Sequence, residues 1–179
     1  MPPEPLAALI EEAWLHLLLP LWLLAGFADW CCHRVQRIEH SAGLKESLMH
    51  LLMLCELGLG LLAALVLEIN AAALLLLLAA CVAHELTTWW DLVYADSKRH
   101  IPVAEQWVHS LQLVLPWAAL ATLVLLHWPQ VRAPEWTLRW KAPALPWGEL
   151  VALGTAGLLL VALPFAEEAW RCARARRHP

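Results

Sequence analysis

No lysine or arginine precedes Arg34. A secretory signal peptide begins with a basic region, so the apolar stretch from Ala7 to Ala28 is expected to be kept as an anchor. Paired cysteine spacing is missing as well: Cys31, Cys32, Cys55, Cys81 and Cys172 contain no CxxC. Adjacent Cys31 and Cys32 would point about 100° apart on a helix, which suits neither a disulfide nor a thiolate chelate. All five are expected to be reduced, mostly packing residues. The basic residues that do occur cluster beside apolar runs, which suits membrane topology and anionic lipid and gives nucleic-acid binding no support.

What is present is apolar. Of 179 residues 61% are hydrophobic, the mean hydropathy is +0.58, and leucine and alanine fall in long blocks. That is a membrane composition on a chain the length of one domain. Blocks bounded by charge or proline predict five spans: Leu6 to His33, Leu44 to Leu67, Ala71 to Tyr94, Val103 to His127 and Trp147 to Phe165. The expected fold is all-α, an integral-membrane bundle of about five transmembrane helices in a single domain, four of them forming a metal-binding core. That core would occupy residues 6–127, followed by an outer interfacial segment over 128–146 and a fifth helix with a basic tail over 147–179.

Basic residues fall on alternate connections: Arg34, Arg37 and Lys45, then Lys98 and Arg99, then Arg171, Arg174, Arg176 and Arg177. This predicts an N-terminus outside and a C-terminus in the cytoplasm, in an inner or plasma membrane. The fourth connection, WPQVRAPEWTLRWKAPALPW, carries Arg132, Arg139 and Lys141 on the predicted outer side, against that rule. Its Trp128, Trp136, Trp140 and Trp147 suit an interfacial belt, so it is expected to lie along the outer headgroups.

The polar residues inside the spans follow a pattern. Glu12 and His16, Asp29 and His33, Glu46 and His50, Asp96 and His100, and Glu105 and His109 are all acid and histidine pairs four residues apart. Nine histidines and 16 acids scattered at random would give about 0.8 such pairs. Four residues apart on a helix means one face. His84 and Asp91, about two turns apart, share a face as well. By the predicted topology Asp29 and His33 end the first span, Glu46 and His50 begin the second, His84 and Asp91 end the third, and Glu105 and His109 begin the fourth. His50 and His109 would lie roughly 10 Å inside their helix starts and His84 roughly 15 Å from its helix end. Glu12 and His16, about 25 Å away by helix rise, are expected at the opposite interface, and Asp96 and His100 as a surface pair before Pro102.

Polar groups in hydrocarbon cost several kcal/mol unless partnered. Asp29, His33, Glu46, His50, His84, Asp91, Glu105 and His109 are therefore expected to ligate metal, with Glu46 and Glu105 as the catalytic carboxylates. Supporting positions are Glu39 at the inner turn, Glu56 about 120° around the helix from His50, Thr88, and Tyr94, which could instead anchor at the interface. Carboxylate and imidazole without thiolate suit iron or manganese and leave zinc possible. The expectation is two transition-metal ions, iron preferred, with zinc or b-haem as alternatives.

Through DWCCH, ESLMH, HELTTWWD and EQWVH, the region from Asp29 to His109 resembles integral-membrane non-haem diiron oxygenases such as fatty-acid hydroxylases, desaturases and alkane monooxygenases. The resemblance is architectural, and the HxxxH and HxxHH motifs of those families do not occur here. It implies a diiron enzyme using dioxygen and an electron donor to oxidise a lipid-soluble small molecule among membrane lipids. A b-haem electron carrier, a divalent-metal transporter and a membrane zinc hydrolase are the other readings of the same residues.

Overall fold

A computed structural model describes residues 4–142 and 146–177. Helix α1 runs over Glu4–Gln36, α2 over Gly43–Val66, α3 over Ala71–Asp96, α4 over Val103–Leu126, the short α5 over Trp128–Arg132, and α6 over Trp147–Arg177. All except α5 are long and apolar enough to cross a bilayer. The expected all-α membrane bundle of five spans is the fold.

Local chemistry sets the breaks. Arg37, at φ 52°, closes α1 in the left-handed conformation, and its N–H donates to the Arg34 carbonyl at 3.3 Å. A 3-10 turn over Ile38–His40 leads to Gly43, whose φ of 67° would strain any side chain. Pro102 holds Ile101 out of helix, so α4 starts at Val103.

Two π-helical turns interrupt the long helices, Trp14–Leu18 in α1 and Leu158–Ala162 in α6. Each lies just before a proline, Pro20 or Pro164. Proline removes one backbone donor and its ring crowds the preceding turn. The residue ahead of it therefore bonds five back: Leu19 N–H reaches the Trp14 carbonyl and Leu163 N–H the Leu158 carbonyl. Near these turns α1 and α6 touch closely, with Gly26 facing Val161.

The segment after α5 folds back over the α2–α3 turn. Glu68 N–H donates to the Arg139 carbonyl at 2.9 Å, Lys141 N–H to the Val66 carbonyl at 2.8 Å, and the Asn70 side chain to the Thr137 carbonyl at 2.8 Å. Asn70 also caps α3 by accepting from Ala73 N–H at 3.0 Å. Helix-end groups that lipid would leave bare are thus satisfied.

The interior is divided. Beneath that segment Ile69, Leu74, Leu77, Cys81 and Leu120 form an apolar core. At the other end, which carries the α1–α2 and α3–α4 connections, the interior is polar. Helix surfaces are apolar outward, as at Leu9, Leu59 and Leu86, and exposed tryptophans occur at both ends, including Trp89 and Trp107 at one and Trp140 and Trp147 at the other. These suit two interfacial girdles. All five cysteines are free thiols.

Candidate metal centre

Each of the five long helices buries one acid at the polar end: Asp29, Glu46, Asp91, Glu105 and Glu168. An isolated buried carboxylate costs several kcal/mol, so every one requires a partner. Sequence places Asp29 with His33, Glu46 with His50 and Glu105 with His109 on single helix faces, and the bundle turns those faces inward together.

Four atoms come closest. His33 Nε2 lies 3.4 Å from Asp29 Oδ1 and 3.4 Å from Glu105 Oε1, while His109 Nε2 lies 3.0 Å from Asp29 Oδ1 and 3.9 Å from Glu105 Oε1. Ligands about 2.1 Å from a common ion in tetrahedral array lie about 3.4 Å from one another. The four separations bracket that spacing. A second group, His33, Glu46 and His50, offers ligand atoms within 4.8 Å of one another and shares His33 with the first. Neither group contains a cysteine.

Glu168, which sequence reasoning missed, organises the centre. Its Oε2 accepts from His33 Nδ1 at 2.9 Å and its Oε1 from His50 Nδ1 at 2.8 Å. An ionised carboxylate only accepts, so both Nδ1 atoms hold protons, and a ring in its neutral form presents an Nε2 lone pair on its other side. Those Nε2 atoms are buried without a hydrogen-bond partner. They face carboxylate oxygens, His50 Nε2 lying 3.5 Å from Asp91 Oδ2. Lone pairs facing anions call for a cation between them, either a metal ion or protons on the rings.

The fixed cation among these residues is Arg99, also missed as a site residue because it reads as a topology-setting charge. Its guanidinium contacts Glu46 and Glu105 at 2.5 Å each and the Gln36 side-chain oxygen at 2.8 Å. Burial works against its charge, but the hydrogen bonds to Glu105 and Glu46 outweigh it and hold its pKa well above the ordinary value. Gln36 also donates to Glu105. The two expected catalytic carboxylates are therefore both engaged by Arg99 on one side while facing histidine on the other.

The signal for Glu168 was present in the spacing. Phe165, Glu168 and Cys172 follow one another at three and four residues, and all are buried. A fifth span bounded by charge ends at Phe165 and leaves Glu168 outside it. The helix runs on to Arg177 since Glu168 has two histidines as partners, so the fifth span joins the four expected to form the core.

Other expected residues lie around this core. Asp91 reaches His50, but His84 is in neither ligand group; it sits seven residues, roughly 10 Å, deeper along α3. Its Nδ1 is buried without a partner. Glu56 accepts from the Thr87 hydroxyl at 2.8 Å, away from His50. Thr88 donates to the His84 carbonyl at 2.8 Å, Tyr94 to the Ala42 carbonyl at 3.0 Å, and Glu39 pairs with Arg171. Tyr94, with Lys45 Nζ 4.2 Å from its ring centre, ties α3 to the start of α2 as an interface anchor does. Neither Glu12 with His16 nor Asp96 with His100 forms an ion pair among the described residues. A π turn alters the spacing of the first pair, and α3 stops at Asp96 before a face with His100 can form.

A cavity of about 210 Å³ adjoins the cluster. Asp29, His50, Asp91 and His109 line one part, and apolar residues such as Trp22, Leu57 and Val161 line most of the rest, with His84, Thr88 and Gln112 among them. In comparisons with known proteins, no family model, curated protein or solved structure matches the chain.

Proposed function

We propose that this protein is a membrane-embedded, metal-dependent oxidoreductase that uses dioxygen to oxidise a C–H bond of a lipid-like substrate. The observation supporting it is the set of four ligand atoms from Asp29, His33, Glu105 and His109 at tetrahedral spacing, opening onto an apolar cavity. The Nε2 lone pair of His33 serves the first ion, so Glu46 and His50 would hold a second one. Iron is preferred for mixed carboxylate and imidazole ligands, and it supplies the dioxygen chemistry that side chains lack. Converting C–H to C–OH places one oxygen atom in the substrate and the other in water, and consumes two protons and two electrons from a donor protein or cofactor. Glu168 orients the imidazoles, Arg99 offsets the surplus negative charge, and the apolar cavity excludes bulk water. The distribution of Arg34, Arg37, Lys45, Lys98 and Arg99 supports a centre near the cytoplasmic face.

A zinc hydrolase is the second reading, favoured by one observation: His33, with one free ring nitrogen, belongs to both groups, which leaves a single complete ligand set of near-tetrahedral spacing. Elemental analysis and a visible spectrum of detergent-purified protein separate the two. About two irons per chain are expected; one zinc selects the hydrolase, and folded, active, metal-free protein overturns both.

A further inference from the structure

We propose that the cavity beside the cluster holds one unbranched, oxygen-bearing lipid chain, such as a fatty acid or fatty alcohol. Gly58 and Gly157 set the length of chain that fits. The inference names a substrate class for the proposed centre and rests on that reading only for what happens at the reacting end.

The cavity is slender. Its volume of about 210 Å³ lies below the roughly 300–1,000 Å³ usual for compact ligands. Yet its wall follows α2 from His50 to Leu61, a rise of roughly 16 Å. Beyond the cluster the wall is largely apolar, which favours hydrocarbon over a sugar or a headgroup. Three polar side chains interrupt it, His84, Thr88 and Gln112; the Thr88 hydroxyl is already spent on the His84 carbonyl, whereas the buried His84 Nδ1 has no partner. An oxygen on the chain satisfies it, whereas a plain alkane leaves it orphaned.

The glycines separate into two kinds. At Gly26 a Cβ would meet Val161 Cγ2 at 3.2 Å, and at Gly60 it would meet Ala80 Cβ at 3.2 Å, so these are small because helices touch there. At Gly58 and Gly157 a Cβ would meet nothing within 4 Å, and both line the cavity. A side chain at either position would project from the wall into open space. Gly58 is also exposed, so the wall reaches the lipid-facing surface there. Gly154 is equally open but is not part of the wall, and serves as the control.

The test is photolabelling of the full chain in detergent with palmitic acid carrying a mid-chain diazirine, mapped by mass spectrometry, with metal content read on the same samples. Wild type is expected to be labelled on the cavity wall, with competition by unlabelled palmitic acid. Gly58→Phe and Gly157→Phe should each lower that labelling by about tenfold or more, and Gly154→Phe should not. Diazirine-tagged octanoic acid should still label both plugged variants, which shows that they are folded. Undiminished palmitate labelling of the plugged variants, or wild-type labelling off the wall, overturns the proposal. Correct labelling of a metal-free protein leaves it standing and removes the metal reading instead.

Discussion

The imidazoles of His33 and His50 lie face to face, with ring centres 4.4 Å apart and planes 8° from parallel. One carboxylate, Glu168, receives a proton bond from each. Replacing its charge with an amide of the same shape leaves only one acceptor oxygen for two donors. Glu168→Gln is therefore expected to lower metal affinity by about 10–100-fold, the usual effect of losing a carboxylate behind a ligating histidine. Chelator competition against a zinc or iron load measures it. Unchanged affinity would reduce Glu168 to a packing residue.

The acid and histidine pattern supplies its own control. His33→Ala and His109→Ala, each removing one corner of the four-atom set, are expected to abolish or halve bound metal at equal folded protein. His16→Ala, with the same sequence spacing at the far end of α1, should leave it unchanged. Elemental analysis across the three variants decides this, and equal retention in all of them would be incompatible with the centre proposed here.

Much of this arrangement could be read in advance. Spans four or more turns long announce themselves through hydrophobic length, and a four-residue repeat puts acid and imidazole on one face whatever the tertiary structure. Residues supplied from outside that repeat were not legible. Arg99 sits in a connection, and whether it faces water or Glu46 depends on how α3 and α4 close. Glu168 lies past the apolar run, where hydropathy alone cannot tell an exposed acid from a paired one. His84 shows the reverse error: facing the interior did not place it at the depth of the cluster.

Arg99 lies between two buried carboxylates, so its removal leaves Glu46 and Glu105 facing each other without compensation. Arg99→Met is expected to destabilise the metal-free bundle by about 3–5 kcal/mol. Added divalent metal should restore more stability to this variant than to wild type, since it replaces lost positive charge. Unfolding in detergent with chelator or with metal reads both effects, and equal stability without metal would mean that the carboxylates shed their charge by another route.

Gly26 reports on the contact between the two helices that carry π turns. Gly26→Leu forces a side chain into Val161 and is expected to cost about 1–3 kcal/mol as overpacking. Gly154→Leu, in open space, should cost much less. Parallel thermal unfolding of the two variants tests the closeness of α1 to α6.

Five spans predict chain ends on opposite sides of the bilayer, and the basic connections predict the N-terminus outside. Reporter fusions at each end check this. Both ends on one side would mean that one of the helices lies along the membrane.

The spread of the five buried acids over five helices bears on how the protein is assembled in the cell. Within its own helix a buried acid finds at most a histidine four residues on, so each span enters the membrane with polar groups whose other partners come from its neighbours. α6, synthesised after the other four spans, holds Glu168, the acceptor for both His33 and His50. Until it arrives, the first four helices carry two imidazoles whose Nδ1 donors lack the acceptor that α6 supplies. Synthesis of α6 thus completes the polar interior.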